Sequence, residues 1–226
     1  MQRVLEPELM DDLGQARAYA EADFEEPNQS FVELVRSHFP HWSGSGALLD
    51  LGCGPGDIAL RLAEQYPECE VHGLDGSAAM LEFAERARAA SAAGARVTFV
   101  QDLVPGARLP RSRYDALVSN SLLHHLHQPE VLWTSIRALA APGAPVLVMD
   151  LMRARSTDHA VELVDTYAAG EPEILRTDFY NSLLAAFEPE EVRVQLDAAG
   201  LEALRVEAVS DRHLAVWGVA PASRTI

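Results

Sequence analysis

A chain of 226 residues is long enough for one α/β domain with a full core, or for such a domain carrying a small cap. Its 48% hydrophobic and 23% charged residues are ordinary for a water-exposed globular chain. Its net charge of −16 is not: 34 acidic side chains face 18 basic ones, all arginine and scattered, so phosphate backbones are repelled and nucleic acid is disfavoured as the main partner.

The N-terminal stretch "MQRVLEPELMDDLGQARAYAEADF" is charged and has no apolar signal core, and no run approaches the ~20 residues of a membrane span. The expectation is a cytoplasmic protein, monomer or homodimer, with no membrane partner. Residues 1–45 read as a helical cap, "QARAYAEADF" and "SFVELVRSHF" being two helices split at Glu26-Pro27-Asn28. From residue 46 short apolar runs alternate with helical patterns. "ALLDL" is a strand and "DIALRLAEQY" a helix stopped by Pro67. "CEVHGLD" is a strand and "SAAMLEFAERARAA" a helix with Ser77 as N-cap. "ARVTFV" and "YDALVSN" are strands, "PEVLWTSIRALA" a helix and "APVLVMDL" a strand. This alternation predicts βαβ units and a parallel sheet with helices on both faces. Residues 153–187 break the rhythm as a helical insertion. After the helix "PEEVRVQLDAAG" come two strands, "LEALRVEAV" and "RHLAVWGVA", too close for anything but an antiparallel hairpin. The expected fold is therefore a seven-stranded, mostly parallel α/β sheet that ends in a reversed strand.

The loop "LLDLGCGPG", residues 48–56, follows the first strand and so lies at the carboxyl edge of the sheet, where ligands bind. Its glycines Gly52, Gly54 and Gly56 allow close backbone approach, and Cys53 is a small residue among them; with Cys69 it suggests no disulfide. "GPGDIA" also satisfies the dinucleotide pattern, with Asp75 about 20 residues on to hold a ribose, which keeps an NAD(P)-dependent reductase open. Asp50 argues against a pyrophosphate: its carboxylate adds repulsion to an anionic ligand and attraction to a cationic one.

In that setting "LLDLGCGPG" resembles the first motif of the class I, Rossmann-like S-adenosylmethionine (SAM)-dependent methyltransferases, whose ligand carries an ammonium and a sulfonium. The resemblance implies that Asp50 and the backbone at Gly52 and Gly54 receive the methionine end of SAM. "VHGLDGSAAML" is similar to the second-strand motif, which makes Asp75 the acceptor of both ribose hydroxyls, flanked by Gly76, Ser77 and Met80. "FVQDLV" implies that Asp102 and Leu103 meet the adenine, and "YDALVSNSLLHHL" puts Asn120 beside the sulfonium. Tyr19 is similar to an N-terminal tyrosine that closes over SAM in related enzymes.

Methyl transfer needs nucleophile, methyl carbon and sulfur in line with water excluded, and a hydroxyl or thiol acceptor also needs a base. "SLLHHLHQP" supplies His124 and His125 as catalytic candidates, with His127 expected at the surface. No metal site is expected there, because no acid or cysteine lies at ligand spacing. Substrate-side candidates are Arg153, which follows the fifth strand and hints at an acidic acceptor, and Tyr180 with Asn181 in "DFYNS". The expected function is methylation of a small-molecule acceptor. A tRNA-modifying methyl or carboxymethyl enzyme, the reductase, and a non-catalytic SAM-binding subunit stand as alternatives.

Overall fold

The structure is a computed structural model that describes residues 1–106 and 108–221. Seven strands form one sheet in the order β3-β2-β1-β4-β5-β7-β6. They are β1 (Gly46–Leu51), β2 (Cys69–Asp75), β3 (Val97–Gln101), β4 (Ala116–Asn120), β5 (Pro145–Leu151), β6 (Arg205–Ala208) and β7 (His213–Val219). β1 to β5 are mutually parallel, while β7 runs antiparallel to both β5 and β6. The strand order reverses between β1 and β4, which opens a crevice at their carboxyl ends.

The strands are buried on both faces, which is why β1 reads as a continuous apolar run. Alternate residues serve opposite faces. Leu49 and Leu51 pack with α5 (Glu130–Leu139) and α8 (Pro189–Ala199), whereas Leu48 packs with α2 (Glu25–His38) and α3 (Asp57–Gln65). Ser77 caps α4 (Ala78–Ala90), its hydroxyl accepting the Met80 N–H at 3.1 Å. Gly200, at φ 70°, closes α8 in the left-handed region.

Two sequence expectations are corrected. Pro27 does not separate the N-terminal helices; it is the third residue of α2, where the backbone N–H has no intrahelical partner to lose. The break lies earlier, between α1 (Leu13–Glu21) and Glu25. The strand expected over 201–209 shrinks to β6, because Leu204 N–H turns back to the Leu201 carbonyl at 2.9 Å.

Residues 1–45 divide between two roles. α2 buries Phe31, Val32 and Val35 against the sheet and belongs to the main core. α1 and the irregular strap 1–12 lie over the carboxyl edge instead, as do α6 (Thr157–Tyr167) and α7 (Glu173–Ala185) from the other side. Between them lies a cavity of about 1510 Å³.

Candidate active site

The first wall of the cavity is the glycine loop. Gly52, at φ 73°, turns the chain so that its N–H and that of Cys53 both reach the Leu74 carbonyl, at 2.8 and 3.0 Å. A Cβ at Gly52 would fall 2.9 Å from Leu122, so only glycine fits there. A Cβ at Gly54 would meet nothing within 4 Å, which leaves that face of the loop open to a ligand. Asp75, ending β2, accepts Gly54 N–H and Ser77 N–H on its two oxygens at 2.8 Å each and ties loop to helix.

Asp50 and Asn120 stand at the ends of the two strands that flank the crevice. Asp50 is 1% exposed, and its Oδ2 has no partner among the described residues; neither has Asn120 Oδ1. Burial, then the nearby Asp75, pushes the Asp50 carboxyl up to about 7. Burial also raises Asp75, against the two N–H donors that favour its charge. Buried acceptors without donors are costly unless a ligand completes them, and a cationic ligand suits these best. Ser121, just beyond Asn120, holds φ 56°, an unusual backbone for a residue with a side chain, and it lines the same cavity.

The second-motif residues line the cavity together: Asp75, Gly76, Ser77 and Met80, with Tyr19 from α1. A Cβ at Gly76 would sit 2.7 Å from Leu103 and from Leu9, so the glycine is clasped between the loop after β3 and the strap. Burial pushes the Tyr19 phenol up to about 12. Asp102 and Leu103 also line the cavity, but both Asp102 oxygens serve the loop itself, accepting Leu103 N–H at 2.9 Å and Arg108 N–H at 3.1 Å.

The second wall is built on the histidines. Leu123–His125 form a single 3-10 turn rather than the start of a helix. His124 is buried, with Nδ1 2.5 Å from Asp150 Oδ1 at the end of β5. Asp150 also accepts Leu123 N–H at 2.6 Å and Leu151 N–H at 2.7 Å. Burial alone would raise Asp150, but His124 and those donors outweigh it and hold the carboxyl below its ordinary value. Burial likewise opposes charge on His124, yet Asp150 and Glu6 carry its pKa above the usual histidine value. The ring's Nε2 faces Glu6 Oε1 at 3.5 Å. His125, desolvated and next to His124, is pushed down to about 3.

Glu6 comes from the strap. Its Oε2 accepts the Ser182 hydroxyl at 3.2 Å, while Oε1 is buried with no hydrogen-bond partner among the described residues. The strap is anchored by Val4 N–H on the Leu184 carbonyl at 3.0 Å and by Arg3. The Arg3 guanidinium donates to the carbonyls of Ala185, His124 and Leu126 and lies over the Phe187 ring. His127 is exposed and also holds the strap, its Nε2 donating to the Glu6 carbonyl at 2.7 Å.

The substrate-side expectations are corrected. Arg153 does not line the cavity; it turns away and binds Glu188 at 2.9 Å and Glu191 at 2.7 Å. Its hint of an acidic acceptor goes with it. Tyr180 and Asn181 also fall outside the cavity, because α7 turns Leu175, Asp178, Phe179 and Ser182 inward, the spacing of one helical face. Tyr180 packs on the α6–α7 cluster, and Asn181 is exposed. Asp150, Glu6 and Asp178 were missed. Asp150 ends a strand as Asp50 and Asp75 do and was open to the same reasoning; Glu6 lies in an irregular segment with no local signal. The expectation that the histidines lack an acidic neighbour fails for the same reason, since Glu6 is brought to them from far along the chain.

Residues 48–143 match the family model described as a methyltransferase domain. An uncharacterized methyltransferase of Mycobacterium tuberculosis is 32% identical over 106 residues, 47% of this chain and 51% of that protein. A trans-aconitate 2-methyltransferase of Paracidovorax citrulli is 37% identical over 108 residues, 47% of this chain and 39% of that protein. The chain thus spans about half or less of the curated relatives it matches. In fold, it resembles the crystal structure of a SAM-dependent methyltransferase, itself assigned tentatively, from Methanococcus maripaludis, with a TM-score of 0.72, 16% identity and 99% of both chains covered. The match to the methyltransferase-domain model spans less than half of this chain, and the fold of the chain is that of the SAM-dependent methyltransferases it resembles.

Proposed function

We propose that this chain binds SAM along the β1–β4 crevice and transfers its methyl group to a small-molecule acceptor held between His124 and α7. The observation that carries the reading is the pair of buried, unpartnered acceptor atoms, Asp50 Oδ2 and Asn120 Oδ1, at the strand ends beside the open face of Gly54. They fit an ammonium and a sulfonium and fit a pyrophosphate poorly. Asp75, with lone pairs left after its two backbone donors, suits a vicinal diol. Gly76, Ser77, Met80 and Tyr19 enclose the nucleoside, with Asp102 and Leu103 at its outer edge.

When bound, SAM supplies an electrophilic methyl carbon on a sulfur that departs as a neutral thioether. The chain's residues do the remainder. The strap and α1 exclude water. Asp150 holds the proton on Nδ1 of His124, so Nε2 presents a lone pair to the acceptor side, and a proton lost by the acceptor as its bond to carbon forms passes to that nitrogen. His125, held neutral, stands beside it.

The acceptor end carries Glu6 and Asp178, both raised chiefly by burial. This lining suits an acceptor that offers hydroxyl or amine donors. It does not suit a tricarboxylate, so the substrate named for the Paracidovorax relative is not carried over. The acidic surface and the enclosed site favour a small molecule over tRNA.

Methyl-labelled SAM, incubated with the protein and a panel of hydroxylated and amine-bearing small molecules or with bulk tRNA, tests the reading. Label should appear in a small molecule and be reduced about a hundredfold in Asp150→Asn. Label entering RNA alone would refute the small-molecule reading, and label entering nothing the catalytic one.

A further inference from the structure

The acceptor wall contains a cluster in which His124 is joined by two further potential ligands that the proton transfer does not use. Glu6 Oε1 lies 3.5 Å from His124 Nε2 and 3.5 Å from His125 Nδ1, and the three ligand atoms all lie within 4.8 Å of one another. Atoms about 2.0–2.1 Å from a tetrahedral ion stand about 3.3–3.4 Å apart, so both measured separations are those of neighbouring ligands. We propose that Glu6, His124 and His125 form a binding site for a first-row divalent cation of the zinc class, with its open position facing the acceptor cavity.

Three features beyond spacing support the assignment. The Glu6 side chain is only 9% exposed, and Oε1, the atom shared by both short separations, is a buried oxygen with no hydrogen bond among the described residues. Ser182 orients this carboxylate through Oε2 and leaves Oε1 directed between the two imidazoles, as a ligand oxygen would be. Asp150 binds the far nitrogen of His124, the outer carboxylate that metal-ligating histidines commonly carry, and it leaves Nε2 as the coordinating atom. All three residues line the cavity, so a three-ligand site keeps a position for an acceptor oxygen or nitrogen. In the metal-free ring His125 Nδ1–H donates to the Pro7 carbonyl at 3.2 Å; coordination through Nδ1 moves that proton to Nε2 and gives up the bond.

Two consequences follow. The ion would take the Nε2 lone pair, so metal binding and proton acceptance by His124 exclude each other. Because one ligand comes from the strap and two from the turn after β4, binding also fastens the strap across the cavity. The site stands on its own residues, whatever the acceptor is.

The test uses the full chain without a histidine tag, stripped with chelator and titrated with Zn²⁺ alone by equilibrium dialysis and elemental analysis. Co²⁺ serves as a second, coloured probe. One equivalent should bind the unaltered protein, and Glu6→Gln and His125→Gln should each weaken it at least about tenfold while circular dichroism shows both folded. His124 is left unaltered because its ring hydrogen-bonds the buried Asp150 carboxylate, which its loss would leave without that donor. Absence of stoichiometric binding overturns the proposal. So does binding of equal strength in both variants, which would put the ion elsewhere.

Discussion

At the residue scale the proposed cofactor pocket is lined by buried carboxylates suited to positive charge. Asp50 is the sharpest case, since burial and Asp75 bring its carboxyl up to about 7 in the ligand-free protein. A ligand that sets an ammonium beside it binds the ionised form. Below about pH 7, binding therefore expels a proton and is opposed by acid. Affinity for S-adenosylhomocysteine should rise as pH increases from about 5.5 to 7, by up to about tenfold per unit, and level off above. Titration calorimetry in buffers of different ionisation heat would show protons released at pH 6. Asp50→Asn should flatten the profile and lower its plateau; an affinity that falls with rising pH would contradict this role.

At the element scale the deciding part is the one with no regular structure. The strap 1–12 delivers Glu6 and Leu9, and its hold depends on Arg3, which donates to three carbonyls and lies over Phe187. Arg3→Ala removes all of these bonds, at about 1–3 kcal/mol for charge-assisted contacts. Amide exchange at Val4 and His127 should accelerate by tenfold or more, since about 1.4 kcal/mol is one decade, with β1 and β5 unaffected. Unchanged exchange at Val4 would show that the strap is held by other contacts. The regular elements were legible in the sequence because their signals are local: short, nearly continuous apolar runs in the strands, Ser77 at a cap, Gly200 at a stop. β2 runs over the residues its apolar pattern indicates. The acceptor wall was not legible in the same way. His124 was readable as a candidate, but its partners come from a strand end 26 residues on and from the strap 118 residues back, and no periodicity links them. Tyr180 and Asn181 were chosen by residue type, whereas helical phase turns Asp178, Phe179 and Ser182 toward the cavity instead.

At the scale of the whole molecule, sheet topology and charge point the same way. The reversal of strand order at β1 and β4 opens one crevice, and the strand-end acids Asp50, Asp75 and Asp150 all collect on that edge. A chain of net charge −16 adds a long-range field that draws cations and repels phosphates. The glycine loop alone would also suit a dinucleotide; the carboxylates around it decide against one. Calorimetric titration with SAM, S-adenosylhomocysteine and NADH, each against the same protein preparation, tests this most directly. Micromolar binding of the first two with no heat from NADH is the predicted result. Binding of NADH alone would contradict the account, because the carboxylates read here as receiving a cation would then be tolerating a pyrophosphate.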